Sequence, residues 1–140
     1  ACVTNDFMII GRLESLIVGA GMEDALDRAA AYTAAGADGI MIHSRSEDPS
    51  EVLNFCDRFR DMDSETTLVV VPTKYSVVTE PELKAHGVNI VIYANHMLRA
   101  SVPAMREVCS SILRNSRAKE ADELCLPVNE LLDLIPNRVL

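Results

Sequence analysis

Residues 6–21 read DFMIIGRLESLIVGAG, and residues 37–44 read ADGIMIHS. The first run is apolar except around Arg12 and Glu14, which lie two apart and so point the same way in an extended chain. A charged pair in a strand's packed surroundings is unfavourable unless something compensates it. The second run closes on His43 and Ser44. Apolar runs that finish in polar residues, each followed by a helical pattern, read as buried parallel strands of an α/β fold.

Outward from these two runs the same strand–helix unit occurs four times. MEDALDRAAAYTAAG (22–36) puts Met22, Ala25, Leu26, Ala29 and Ala30 on one helical face. Glu23 and Asp24 stand near its positive end, and Gly36 is the expected stop. After ADGIMIHS, DPSEVLNFCDRFRD (48–61) predicts a helix capped by Asp48, with Pro49 at the first position and Glu51 completing a D-x-x-E capping box. TTLVVVPT (66–73) is the third strand, followed by a short helix between Thr79 and Gly87. VNIVIYAN (88–95) is the fourth, followed by SVPAMREVCSSILRN (101–115) with Ser101 as its cap. The strand–helix pattern is expected to occupy residues 1–116, with a helical extension over 117–140. In that extension RAKEADE (117–123) is a solvated charged stretch. LPVNELLDLI (126–135) is an amphipathic helix whose apolar side (Val128, Leu131, Leu132, Ile135) packs on its own domain or on a neighbouring subunit.

Composition agrees with packed helices over aliphatic strands: 49% of residues are hydrophobic but only 4% aromatic. A net charge of −8 argues against nucleic acid or an anionic membrane as partner, since both select a basic face. Cys2, Cys56, Cys109 and Cys125 form no C-x-x-C pair, which fits free thiols in a reducing cytoplasm. No apolar run reaches membrane-spanning length, and the first residues lack the layout of a secretory signal, so a cytoplasmic protein is expected. No G-x-G-x-x-G follows the first strand, which leaves a dinucleotide site unsupported.

The strand ends carry the functional signal: Arg12 and Glu14, His43 and Ser44, Thr73 and Lys74, Asn95 and His96. Ligands of parallel α/β folds sit at the carboxyl ends of the strands. Any one such residue is more often a loop or capping group. Polar residues at all four ends favour a site for an anionic, oxygen-rich ligand. Four β/α units also make half of an eight-fold barrel, with two open edges that are pairing liabilities. The chain is therefore expected to assemble with a matching half, a second copy included, or to be part of a longer protein.

R-x-E at Arg12–Glu14, M-x-H-S at Met41–Ser44, P-T-K-Y at Pro72–Tyr75 and A-N-H at Ala94–His96, in this order, resemble the second half of the phosphoenolpyruvate mutase and phosphonopyruvate hydrolase family. That family belongs to the isocitrate lyase superfamily of (β/α)8 barrels. The resemblance runs from about Asp6 to the C-terminus, and His43 favours the phosphono branch, because the carbon–carbon lyases tend to carry glutamate there. It implies the C-terminal half of a TIM-type barrel, strands five to eight, plus C-terminal helices.

The implied reaction is the interconversion of phosphoenolpyruvate and phosphonopyruvate, with phosphonopyruvate hydrolysis as the alternative. The resemblance gives Arg12 and His43 to the phosphoryl or phosphonyl group, with Ser44 as a further donor. A guanidinium suits this task through its fork of donors and permanent charge. Glu14 is expected to orient Arg12 or to link to metal-bound water; Thr73, Lys74 and Asn95 line the rim in structural roles. The implied cofactor is Mg2+, with its ligands in the first half of the barrel. Neither Asp6 nor Asp38 is placed to replace them, so the chain alone is expected to be inactive. Homo-oligomers exchanging the last helices are also implied. A non-catalytic half-barrel binding a phosphorylated ligand or partner chain is the reading from another class.

Overall fold

The computed structural model describes residues 6–134; Cys2 and Ile135 lie outside them. The chain forms two compact units, Ala1–Ala94 and Asn95–Leu140. The contacts thus divide it before the last long helix, where the sequence pattern suggested a division after residue 116.

In the first unit four strands, β1 (Ile10–Leu13), β2 (Gly39–Ile42), β3 (Thr67–Val70) and β4 (Ile90–Val91), form one parallel sheet in sequence order. Helices α1 (Ser15–Val18), α2 (Gly21–Ala34), α3 (Ser50–Met62) and α4 (Glu80–Ala85) connect them. β1 and β4 are the two edges. The register aligns Arg12 with Met41, Met41 with Val69 and Val69 with Ile90, so these four side chains form one row across a single face. The alternate residues Leu13, Ile40, Ile42, Leu68 and Val70 are buried in the core with Ala25, Leu26 and Ala29 of α2 and Val52, Phe55, Cys56 and Phe59 of α3. Phe55 and Phe59 stack with ring centroids 5.8 Å apart. Each fully buried Val, Leu, Ile or Phe among them contributes about 1.5–3 kcal/mol. Of the expected α2 face Met22 packs against this core, but Ala30 is exposed.

The helix boundaries follow local chemistry. Gly36 takes φ +95° and ends α2, since a left-handed residue there is nearly free only for glycine. Thr79 caps α4 by accepting the Glu82 amide at 3.4 Å. At α3, Asp48 Oδ1 accepts the Ser50 amide at 2.9 Å, as a cap should. The expected capping box does not close, because Glu51 turns instead to the Ser44 hydroxyl.

The second unit holds α5 (His96–Asn115), a 3₁₀ helix (Lys119–Leu124) and α6 (Val128–Asp133). α5 begins five residues before the expected cap: Asn95 occupies the cap position, Ser101 lies inside the helix and donates to the Leu98 carbonyl at 2.9 Å, and Pro103 is interior. RAKEADE is also more ordered than expected. Arg117 pairs with Glu120, and Ala121 is buried within the 3₁₀ turn. The apolar residues of α6, Val128, Leu131 and Leu132, are exposed.

Candidate active site

β1 delivers Arg12 near its carboxyl end, and Glu14 follows one residue after it stops. Both are about half exposed, and Arg12 Nε donates to Glu14 Oε1. His43 is the first residue after β2, on the neighbouring strand. It is partly buried, and its Nδ1 is buried with no hydrogen-bond partner among the described residues. Burial pushes its pKa below the ordinary value. The Arg12 charge pushes it further the same way, and the Glu14 charge opposes both. Arg12, Glu14 and His43 therefore share one electrostatic environment. An imidazole left neutral beside a guanidinium is poised to gain charge when an anion arrives.

Ser44 is placed differently from its expected role. It is buried at 2% exposure, donates its hydroxyl to Glu51 Oε1 and accepts the Ser46 amide at 2.9 Å. Its oxygen is thus bonded to both the loop and α3. The alternation of a strand already separates adjacent residues such as His43 and Ser44 onto opposite faces. Thr73 and Lys74 follow β3, partly buried and exposed respectively. Asn95 starts the second unit, its Oδ1 buried and without a partner among the described residues. Two further residues join this region: Arg45, which sequence reasoning left unassigned, and Glu51, which it read only as part of a capping box. Arg45 Nη2 donates to the Ile17 carbonyl at 2.5 Å, tying the loop after β2 to α1, and Glu51 holds Ser44.

A hollow of about 250 Å3 beside Arg12 is walled by Glu14, Ser15, Asp24, Arg28 and Tyr32; His43 is not part of that wall. A larger one of about 620 Å3 lies beside the edge strand β4, between Glu80, Lys84 and Asn89, away from both residues. Its size reflects an uncovered edge more than a ligand site, so the charge coupling of Arg12 and His43 is the better guide. The residues present do not fit Mg2+. Among those described, no three His, Cys, Asp or Glu side chains gather as a metal-holding group. Asp38 Oδ2 accepts the Ile9 amide at 2.7 Å, at the opposite end of the strands. Of the described thiols Cys109 and Cys125 are exposed, while burial pushes Cys56 up to about 12. No helix of the described residues is long and apolar enough to cross a membrane.

A parallel sheet with α-helical connections, free at both edges and polar at its carboxyl ends, is the architecture of part of a TIM-type α/β barrel. A sequence model described as phosphoenolpyruvate phosphomutase matches residues 1–113. The chain belongs to that family. It is 43% identical over 130 residues to a phosphonopyruvate hydrolase of Variovorax sp. (strain Pal2), covering 92% of this chain and 44% of the relative. It is 37% identical over 129 residues to a phosphoenolpyruvate phosphomutase of Tetrahymena pyriformis, covering 92% and 42%. Among solved structures, a phosphonopyruvate hydrolase in complex with oxalate and Mg++ superimposes with a TM-score of 0.85 at 42% identity, covering 96% of this chain and 47% of that one. The chain thus spans a little under half the length of the relatives it matches.

Proposed function

We propose that this chain contributes the phosphonate-holding half of a phosphoenolpyruvate mutase-type site, which interconverts phosphoenolpyruvate and phosphonopyruvate once the first half of the barrel completes it. The observation that carries the reading is the coupling of Arg12 with His43 on neighbouring strand ends, with the imidazole Nδ1 buried and unpartnered. Glu14 engages Arg12 only through Nε, which leaves the two terminal nitrogens for phosphonate oxygens. A bound dianion between the two cationic groups favours protonated His43, adding charge where the transferring phosphoryl group concentrates it. Thr73 and Asn95 remain proposed rim residues.

The Mg2+ that the family resemblance implies is expected to be held outside this chain, and the chain alone is expected to turn over no substrate. The exposed Val128, Leu131 and Leu132 support a homo-oligomer in which the last helices cover one another. Cytoplasmic residence is part of the same proposal.

A second reading, phosphonopyruvate hydrolysis, is favoured by the 43% identity to the Variovorax hydrolase against 37% to the Tetrahymena mutase. Phosphorus NMR of the completed enzyme with phosphonopyruvate and Mg2+ decides. A phosphoenolpyruvate signal establishes the mutase, and inorganic phosphate the hydrolase. Unconsumed phosphonopyruvate overturns both.

A further inference from the structure

The loop between β2 and α3 reads H-S-R-S-E-D-P-S from His43 to Ser50, and its alternate side chains hold its own backbone. Ser44 Oγ accepts the Ser46 amide at 2.9 Å, Ser46 Oγ accepts the Asp48 amide at 3.1 Å, and Asp48 Oδ1 accepts the Ser50 amide at 2.9 Å. Three successive turns of this kind fix a segment that would otherwise be free after the strand. Both ends of the series are anchored. Ser50 Oγ donates to Asp48 at 2.6 Å, and the Ser44 hydroxyl donates to Glu51 in the first turn of α3. Between them Arg45 reaches the Ile17 carbonyl in α1, just past Glu14.

His43 itself has no hydrogen bond at Nδ1 among the described residues to set its ring, so its direction depends on the backbone that carries it. We infer that Glu51, acting through Ser44, is a positioning residue that locks the loop after β2 and thereby holds His43 toward Arg12. Glu51 accepts from a hydroxyl that is itself buried, so removing the carboxylate leaves that hydroxyl without its acceptor and frees the first turn of the series. The consequence for turnover rests on the phosphonate reading above; the lock itself does not.

The test separates the two. The sequence holds only three histidines, His43, His86 and His96, so the imidazole of His43 can be followed by proton NMR in this chain, with His43→Asn assigning its resonance. Glu51→Ala is expected to raise the His43 pKa toward its ordinary value, because a loosened loop admits water to the ring. The mere loss of a nearby negative charge would move it the other way. Glu51→Gln, whose amide oxygen still accepts from Ser44, loses the charge but keeps the lock and is expected not to raise the His43 pKa. Ser44→Ala is expected to reproduce the Glu51→Ala shift and serves if the latter fails to fold. In the completed enzyme Glu51→Ala is expected to raise KM for phosphonopyruvate about tenfold or more, since small misplacements of a contacting group carry penalties of that size. A Glu51→Ala chain that melts lower yet titrates His43 at the parental value overturns the lock. Arg12→Ala without kinetic effect overturns the phosphonate reading and leaves the NMR result standing.

Discussion

Arg60 and Arg12 stand at opposite ends of one sheet and are held in opposite ways. Arg60, in the last turn of α3, donates to the Gly87 carbonyl twice, at 3.0 and 2.9 Å, and to the carbonyls of Asp63 at 3.0 Å and Thr66 at 2.9 Å. Its remaining contact is Asn89 Oδ1 at 2.7 Å, which also accepts the Leu68 amide at 2.8 Å. All of these groups lie where β3 and β4 begin. Arg12, where β1 finishes, has Glu14 as its one hydrogen-bond partner among the described residues and is half exposed; beside it His43 keeps a buried nitrogen unpaired. At one end every donor of a guanidinium is used to join loops. At the other, donors are kept open. A parallel sheet makes that division natural, because the loops leaving the strands can vary without disturbing those that enter them.

The division can be broken most strongly at Arg12. Arg12→Ala in the completed enzyme is expected to lose about 3 kcal/mol or more of transition-state stabilisation, read as kcat/KM. Its folding stability is expected to stay within about 1 kcal/mol of the parent, since a half-exposed ion pair adds little. A loss below about tenfold in kcat/KM would make Arg12 structural and erase the contrast. Arg60→Ala is the mirror image. It strips the partner from three backbone carbonyls and is expected to lower stability by about 2–3 kcal/mol in urea unfolding, with kcat/KM per folded enzyme unchanged. Gly87→Ala tests the same end from the backbone. Gly87 has φ +80°, and an added Cβ would stand 2.6 Å from Arg60 Cγ and 2.7 Å from its Nε. Strain and displacement together are expected to lower stability by about 1–2 kcal/mol, again without touching turnover.

The ends of the sheet differ also in how far they could be read from residues alone. The β/α order, the α2 stop at Gly36 and the short helix between Thr79 and Gly87 were legible because each is a local signal of period or torsion. The run SLIV after Glu14 was not, since an apolar run continuing a strand looks the same whether it stays extended or turns into α1. Ser101 two residues before Pro103 imitates a helix start, yet the preceding HMLRA already forms helix. At the mouth, polar residues at all four strand ends pointed to a site only as a set, and it was the family resemblance that singled out Arg12 and His43. Ser44 was read as a ligand donor from its place beside His43, and in the structure its hydroxyl donates to Glu51. The same two-residue alternation that paired Arg12 with Glu14 would have set Ser44 apart from His43, and the spacing of Ser44, Ser46, Asp48 and Ser50 was a visible sign of local turns. Arg60 gave no sign. Its partners are backbone carbonyls brought together only by the fold.

The smallest expected effect is a pH dependence that sharpens the contrast without any ligand. His43 has its folded pKa depressed, by burial first and by Arg12 second, below an unfolded value of about 6.5. Above that value both states are neutral and the contribution to stability is fully present. As pH falls below it the unfolded chain takes up a proton that the folded chain refuses, so stability is lost until the folded pKa is passed. Asp63, at the other end of the sheet, is lowered by its hydrogen bonds from Thr66, so its contribution survives to far lower pH and fades only below the ordinary carboxyl value of 3.8. The two ends therefore lose stability in separate windows. Urea midpoints measured between about pH 7.5 and 5 should decline, and His43→Asn should flatten the slope. Arg12→Ala should make it shallower, by removing one cause of the depression. Glu14→Gln should make it steeper, because the carboxylate opposes it. A slope indifferent to all three variants would mean that the mouth charges do not act on the imidazole, and the asymmetry between the ends would reduce to a difference in exposure.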